Sequence, residues 1–324
     1  MAIEATQHSR PASWKILLAF AIIYLVWGST YLAIRVGVRE MPPFLMAGMR
    51  FTAAGLVLYG WMRLTGVPSP NWIEWRGATI LGTLMFLIDY ASLFWAEQRV
   101  PSGVTAVILA IIPVCITLLE IVFLRTQRLS VRLSLGLLVG MVGVAVLMDP
   151  RSSLGEVPLD CGGAIALLVA CLGWSIGTVV SRRIVLPQSK PMSAAAQMLS
   201  GGVQLLILAA VSGEVSHFRA QDISRVAWFS LVYLIIAGSI VAYTAYVWLL
   251  HYESPTKVGT YAYVNPVVAV IVGAGIGGEV IGKRTLLGMA LILFSVVAIT
   301  TMKAKSNMGA QSGRGIEASS AADQ

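Results

Sequence analysis

Charge, histidine and cysteine are all scarce in this chain. Only 12% of its 324 residues are charged, 57% are hydrophobic, and the mean hydropathy is +0.80. Too few polar side chains remain to clothe a water-soluble globule, which excludes an ordinary soluble domain. The three histidines, His8, His217 and His251, fall in or beside predicted loops. They leave no His/Cys/carboxylate cluster inside the apolar stretches and no Ser–His pair at helical spacing, so neither a metal, a cofactor nor an enzymatic activity is expected. Cys115, Cys161 and Cys171 fall in predicted spans and read as small packing residues, not as a disulfide framework. An ATP site is missing too. Gly277 to Arg284 comes within one residue of a phosphate-binding loop, but Arg284 stands where Ser or Thr is needed and no strand precedes it. The apolar N-terminal stretch is too long for a cleavable signal and no small-x-small site follows it.

What the chain has is apolar length. Ten stretches, 14–36, 43–64, 77–96, 103–124, 131–149, 161–181, 192–212, 226–250, 258–278 and 285–302, each approach the roughly 20 residues that cross a bilayer core as a helix. The expected fold is an all-α integral membrane protein of ten transmembrane helices in two inverted five-helix repeats. Residues 1–13 precede the first repeat at 14–149, the second occupies 161–302, and 303–324 read as a disordered tail. The net charge of +8 does not point to nucleic acid, because of how it is distributed. With the N-terminus in the cytoplasm, inside segments hold 14 Lys and Arg and outside segments 8, which favours both termini cytoplasmic in a cell membrane.

The repeat shows in constant offsets. Trp27 and Trp174, Arg35 and Arg182, and Arg50 and Gln197 are each 147 apart; Tyr90 and Tyr243, Trp95 and Trp248, and Pro113 and Pro266 are each 153 apart. An odd number of crossings per repeat turns the second upside down, an arrangement typical of secondary transporters. Leu25-Val26-Trp27-Gly28-Ser29-Thr30-Tyr31, Pro42-Pro43 with Arg50-Phe51, the Val100-Pro101-Ser102-Gly103 turn and Tyr261-Ala262-Tyr263-Val264-Asn265-Pro266 resemble the EamA-type permeases of the drug/metabolite transporter superfamily. Glu279 to Gly288 fits the same pattern, although its counterpart in the first repeat is Gln127. The resemblance implies ten helices with cytoplasmic termini and the export or exchange of small metabolites such as amino acids, amines or xenobiotics.

Several residues are candidates for that work. Pro113 and Pro266 sit near the middle of spans four and nine, where a missing N–H would free the carbonyls of Leu109 and Ala262 and kink the helix. Arg50, Asp89 and Glu120 are ionisable groups inside spans, which need partners or water. Arg50 and Asp89 lie at matching depth with opposite sign, so either an ion pair or a proton-coupling role fits; Glu120 lies near the inner interface. Trp27, Thr30, Tyr90, Trp174, Thr178, Tyr243, Tyr261 and Asn265 carry polar tips on rings or short side chains and suit a pocket for an organic solute. Interfacial belts and helix packing are the competing account of the aromatics. Gly136 with Gly140 and Gly273 with Gly277 have small-xxx-small spacing, which serves packing within the protein or a homodimer face alike. Membrane lipid and a small-molecule substrate are the expected partners. A membrane-embedded enzyme or a sensor without transport is the alternative.

The charge bias generates a topology prediction. Reporter fusions at Ser306 and in the loop around Arg151 should report opposite sides of the membrane. Signals from the same side would mean a miscounted span.

Overall fold

The computed structural model describes residues 11–100, 105, 108–126, 128–148, 160–277 and 283–301. The first ten residues, the 101–104 part of the turn, Gln127, the loop around Arg151, Glu279 and the 303–324 tail lie outside the described residues.

Among the described residues the chain is helical and contains no strand. Its long helices are α1 Ser13–Val38, α2 Pro43–Leu64, α3 Trp72–Glu97, α4 Ile112–Leu124 and α5 Val131–Met148, followed by α6 Cys161–Val180, α7 Lys190–Val211, α8 Arg225–Tyr252, α9 Tyr261–Gly277 and α10 Lys283–Thr300. Six of these, α1, α2, α3, α6, α7 and α8, are long and apolar enough to cross a membrane, and the shorter apolar helices make the set consistent with ten crossings. Helix ends are written in the sequence. Asn71 and Glu74 form a reciprocal capping box at α3, and Asp160, Ser189 and Ser224 accept backbone N–H bonds at the starts of α6, α7 and α8. Glu40 ties two connections together by accepting from Ser224 N at 2.6 Å and Ser224 Oγ at 2.8 Å.

The packing obeys the sequence repeat. α1 lies against α8 and α9 of the second half, while its counterpart α6 lies against α3 and α4 of the first; α2 pairs with α7, and α5 with α10. Lipid offers no hydrophobic drive between helices, so close contact relies on small residues. A Cβ on Gly28 would sit 2.5 Å from Val268 Cβ, so α1 and α9 meet at a spacing that only glycine permits. The Gly136–Gly140 pair is consumed inside the protein. Ser295 Oγ donates to Gly136 O at 2.6 Å, and a Cβ on Gly140 would meet that same hydroxyl at 2.6 Å.

Among the described residues three stretches are π-helical: Glu120–Leu124 at the end of α4, and a related pair in α3 and α8. α3 widens into a π-helical stretch at Thr83–Ile88 and α8 does so at Leu234–Val241, near-symmetric positions at the 153-residue offset that end just before Tyr90 and Tyr243. Such widened turns are common at functional sites. The prolines, by contrast, are not equivalent. Helical Ile108 and Leu109 give way to a turn at Ala110 and Ile111, and Pro113 falls in the first turn of the helical run Ile112–Leu119, where its missing N–H costs nothing. Pro266 sits inside the uninterrupted α9. The expected matched pair of kinks is thus one helix break and one proline within a continuous helix.

Gly28→Val should force α1 and α9 apart and cost about 1–3 kcal/mol, read as a lower unfolding temperature in detergent. Gly60→Ala, with nothing within 4 Å of the added Cβ, is the matched control and should be neutral. Equal temperatures for both would mean the helices do not approach this closely.

Candidate functional site

The two halves meet in a layer of aromatic rings. Trp27 and Trp174 come together edge to face with centroids 5.5 Å apart. Tyr246 lies 5.2 Å from each of them, Tyr261 lies 4.7 Å from Trp27, and Tyr90 lies 6.1 Å from Trp174. Trp27 Nε1 donates to Gly238 O at 3.0 Å, inside the widened stretch of α8, so the indole is fixed by the same turn that departs from α-helical geometry. The indoles are 5% and 3% exposed, which removes both from the lipid face and from interfacial belts.

A cavity lies on each side of this layer, and the two differ in size by an order of magnitude. The larger, about 410 Å³, sits between α6, α7 and α8 and opens at the 181–190 connection. Buried Ser193, Gln197, Tyr243 and Tyr246 line it together with Met85, and the more exposed Lys190, Arg182 and His251 complete the lining. Tyr243 donates to Gln197 Oε1 at 2.7 Å and Gln197 Nε2 donates to Ser193 Oγ at 3.0 Å, which holds this wall in one arrangement. The smaller cavity, about 40 Å³, lies toward the opposite face and is lined by Trp27, Thr30, Asp89, Tyr90, Trp174, Tyr261 and Asn265, with Tyr31 beside them. Most of the sequence candidates therefore gather around the smaller cavity, and Tyr243 alone of them lines the larger one. Thr178 lines neither: its hydroxyl donates to Trp174 O at 2.8 Å and bonds Tyr246 Oη, so it orients the ring that separates the cavities.

Arg50 and Asp89 are both buried and within electrostatic range of each other, but among the described residues no nitrogen–oxygen pair between them comes within ion-pair distance. Arg50 Nε instead donates to Ser239 Oγ at 2.9 Å, and the guanidinium lies 4.6 Å from the Phe51 ring and 5.2 Å from the Tyr90 ring. Asp89 faces the small chamber. Glu120 is a tie between elements: its Oε2 accepts from Thr256 N at 3.0 Å and Thr256 Oγ1 at 2.7 Å, and its Oε1 accepts from Thr126 Oγ1 at 3.1 Å. Sequence reading missed one buried carboxylate, Glu97, because the third span was ended one residue before it; the charge of Arg35 acts on it. It also passed over Gln197, although the 147-residue offset pairs it with Arg50. Among the described residues no group of His, Cys, Asp and Glu could hold a metal.

Comparison with known proteins adds the following. The family described as the EamA-like transporter family matches residues 13–148 and 162–301. A relative in Escherichia coli K12, named as the uncharacterized inner membrane transporter YedA, is 36% identical over 88% of this chain and 90% of its own length. Protein PecM of Dickeya dadantii is 25% identical over 85% of this chain and 88% of its own. A probable amino-acid metabolite efflux pump of Salmonella typhimurium is 24% identical over 84% and 90%. A solved crystal structure superposes with a TM-score of 0.72 at 22% identity, covering 90% of this chain and 97% of that one, which shows a shared fold.

The charges in the aromatic zone yield a test. Arg50→Met leaves Asp89 buried without the cation that acts on it and should cost about 3–5 kcal/mol, whereas Arg50→Met combined with Asp89→Asn should be milder. Thermal unfolding of the purified variants reads the difference. Should Asp89→Asn unfold normally and lose only driven transport, Asp89 couples transport and is not a structural counter-charge.

Proposed function

Because the chain belongs to the EamA-like transporter family, we propose that this membrane transporter is a secondary one, moving small metabolites such as amino acids, amines or xenobiotics outward across the inner membrane by alternating access. The observation that carries this reading is the pair of cavities, about 410 Å³ and about 40 Å³, on opposite sides of one aromatic layer at the junction of two repeats. Inverted-repeat carriers hold substrate near the bilayer midplane and rock one half against the other. The family's two matched segments, 13–148 and 162–301, support two functional halves, 14–149 and 161–302.

The basic bias supports cytoplasmic termini, and with that orientation the larger cavity faces the cytoplasm and the smaller one lies on the exit side. Solute enters beside Tyr243 and passes the layer. It then meets Trp27, Thr30, Tyr90, Trp174, Tyr261 and Asn265 as the far side opens, with Thr178 acting through Tyr246. No nucleotide-binding motif is present in the sequence, so an ion gradient or the solute's own gradient drives the cycle. The efflux pump among the relatives supports outward movement.

Comparing the solute profiles of cells with and without the protein identifies cargo and direction, and flux of the depleted solute into proteoliposomes then tests transport itself. Unaltered solute crossing the bilayer is the expected result; conversion of the solute without net flux would make the protein an enzyme. Tyr243→Phe removes only the hydroxyl that holds Gln197 and should lower flux several-fold while leaving the unfolding temperature nearly unchanged.

A further inference from the structure

The large cavity carries a charge of one sign. Lys190, Arg182 and His251 line it, and no aspartate or glutamate does. The carboxylates of the neighbouring connections are already engaged: Glu253 pairs with Lys257 at 3.2 Å, and Glu120 is bonded to Thr256 and Thr126. Arg182 is partly committed, because its Nη1 donates to the carbonyl oxygens of Leu250 and Glu253, which fixes the guanidinium at the rim. Lys190 is not: among the described residues its ammonium has no hydrogen-bond or ion-pair partner. Lys190 is also the first residue of α7, a helix of 22 residues, so the positive end of the helix dipole adds to its charge at the same wall. Met85, Tyr243, Tyr246, Val247 and Leu250 add an apolar and aromatic part to the same lining. At about 410 Å³ the space falls in the range of small-molecule sites, roughly 300–1,000 Å³.

An ammonium with no protein partner, in a cavity without acidic groups, attracts an anion and repels a cation. We propose that this cavity selects solutes carrying a single carboxylate beside an apolar body, with Lys190 meeting the carboxylate, and that it discriminates against simple amines. The assignment narrows the substrate class of the transporter reading and rests on it for its physiological meaning. Binding at the cavity, however, is measured without any transport.

The test uses two probes with nearly the same body and opposite charge, phenylacetate and phenethylamine, titrated calorimetrically into the purified full-length protein. Phenylacetate should bind saturably and more tightly than phenethylamine. Loss of a charged hydrogen-bond partner should make Lys190→Gln bind phenylacetate about tenfold or more weakly. Lys190→Arg should keep most of the affinity, which separates lost charge from lost folding. Tighter binding of the amine, no binding of phenylacetate at millimolar concentration, or equal phenylacetate affinity in wild type and Lys190→Gln would each overturn the proposal. Proteoliposome counterflow with the same acid keeps the two readings apart. Lys190-dependent binding without flux leaves the anion site standing and removes the transporter reading, whereas flux of the amine in preference to the acid does the reverse.

Discussion

The edge-to-face contact of Trp27 with Trp174 is the point on which the rest of the molecule turns. Each indole belongs to the first helix of its repeat, and each first helix packs mainly on the opposite repeat: α1 on α8 and α9, α6 on α3 and α4. The halves are therefore interleaved, and a movement of either one is felt at the layer where the rings meet. Aromatic pairs are worth only about 0.5–1.5 kcal/mol each beyond the area they bury. The layer is thus held by weak contacts, while the α2–α7 and α5–α10 pairs around it are closely packed.

The pseudo-symmetry holds for the widened turns of α3 and α8 and is loose in chemistry. Tyr90 and Tyr243 follow widened turns at corresponding places, and Arg50 corresponds to Gln197. The first repeat thus has the Arg50 guanidinium and, lining the smaller cavity, the Asp89 carboxylate, where the second has the amide of Gln197, lining the larger cavity, and Ala242. Buried charge is costly to leave unsolvated.

Much of the scaffold was legible in the sequence for simple reasons. Apolar length marks spans, and the offsets of 147 and 153 mark duplication; the caps Asn71, Ser189 and Ser224 were not read, and the third span was started at 77 although its helix begins at Trp72. The approach of Trp27, Trp174 and Tyr261 was expected from depth and symmetry, whereas Tyr246, which touches both indoles, was not singled out. Other features had no sequence signal. The widened turns of α3 and α8 come from tertiary fit, since no residue type requires them. Pro113 reads the same whether it kinks a helix or starts one; the turn at Ala110 and Ile111 decided which. The lining of the large cavity by Lys190, Arg182 and Ser193 depends on which face of the carrier is open, a property of conformation that composition does not encode.

Single-molecule energy transfer in proteoliposomes tests the central claim most directly. One dye pair at Val185 and His251 spans the mouth of the large cavity, and another at Arg39 and Gln98 spans the opposite face. The account predicts that each pair visits two distances and that the populations move in opposite senses as the solute mixture is changed, one face narrowing while the other widens. Two fixed distances, or faces that open and close together, would contradict a carrier that alternates about its aromatic layer.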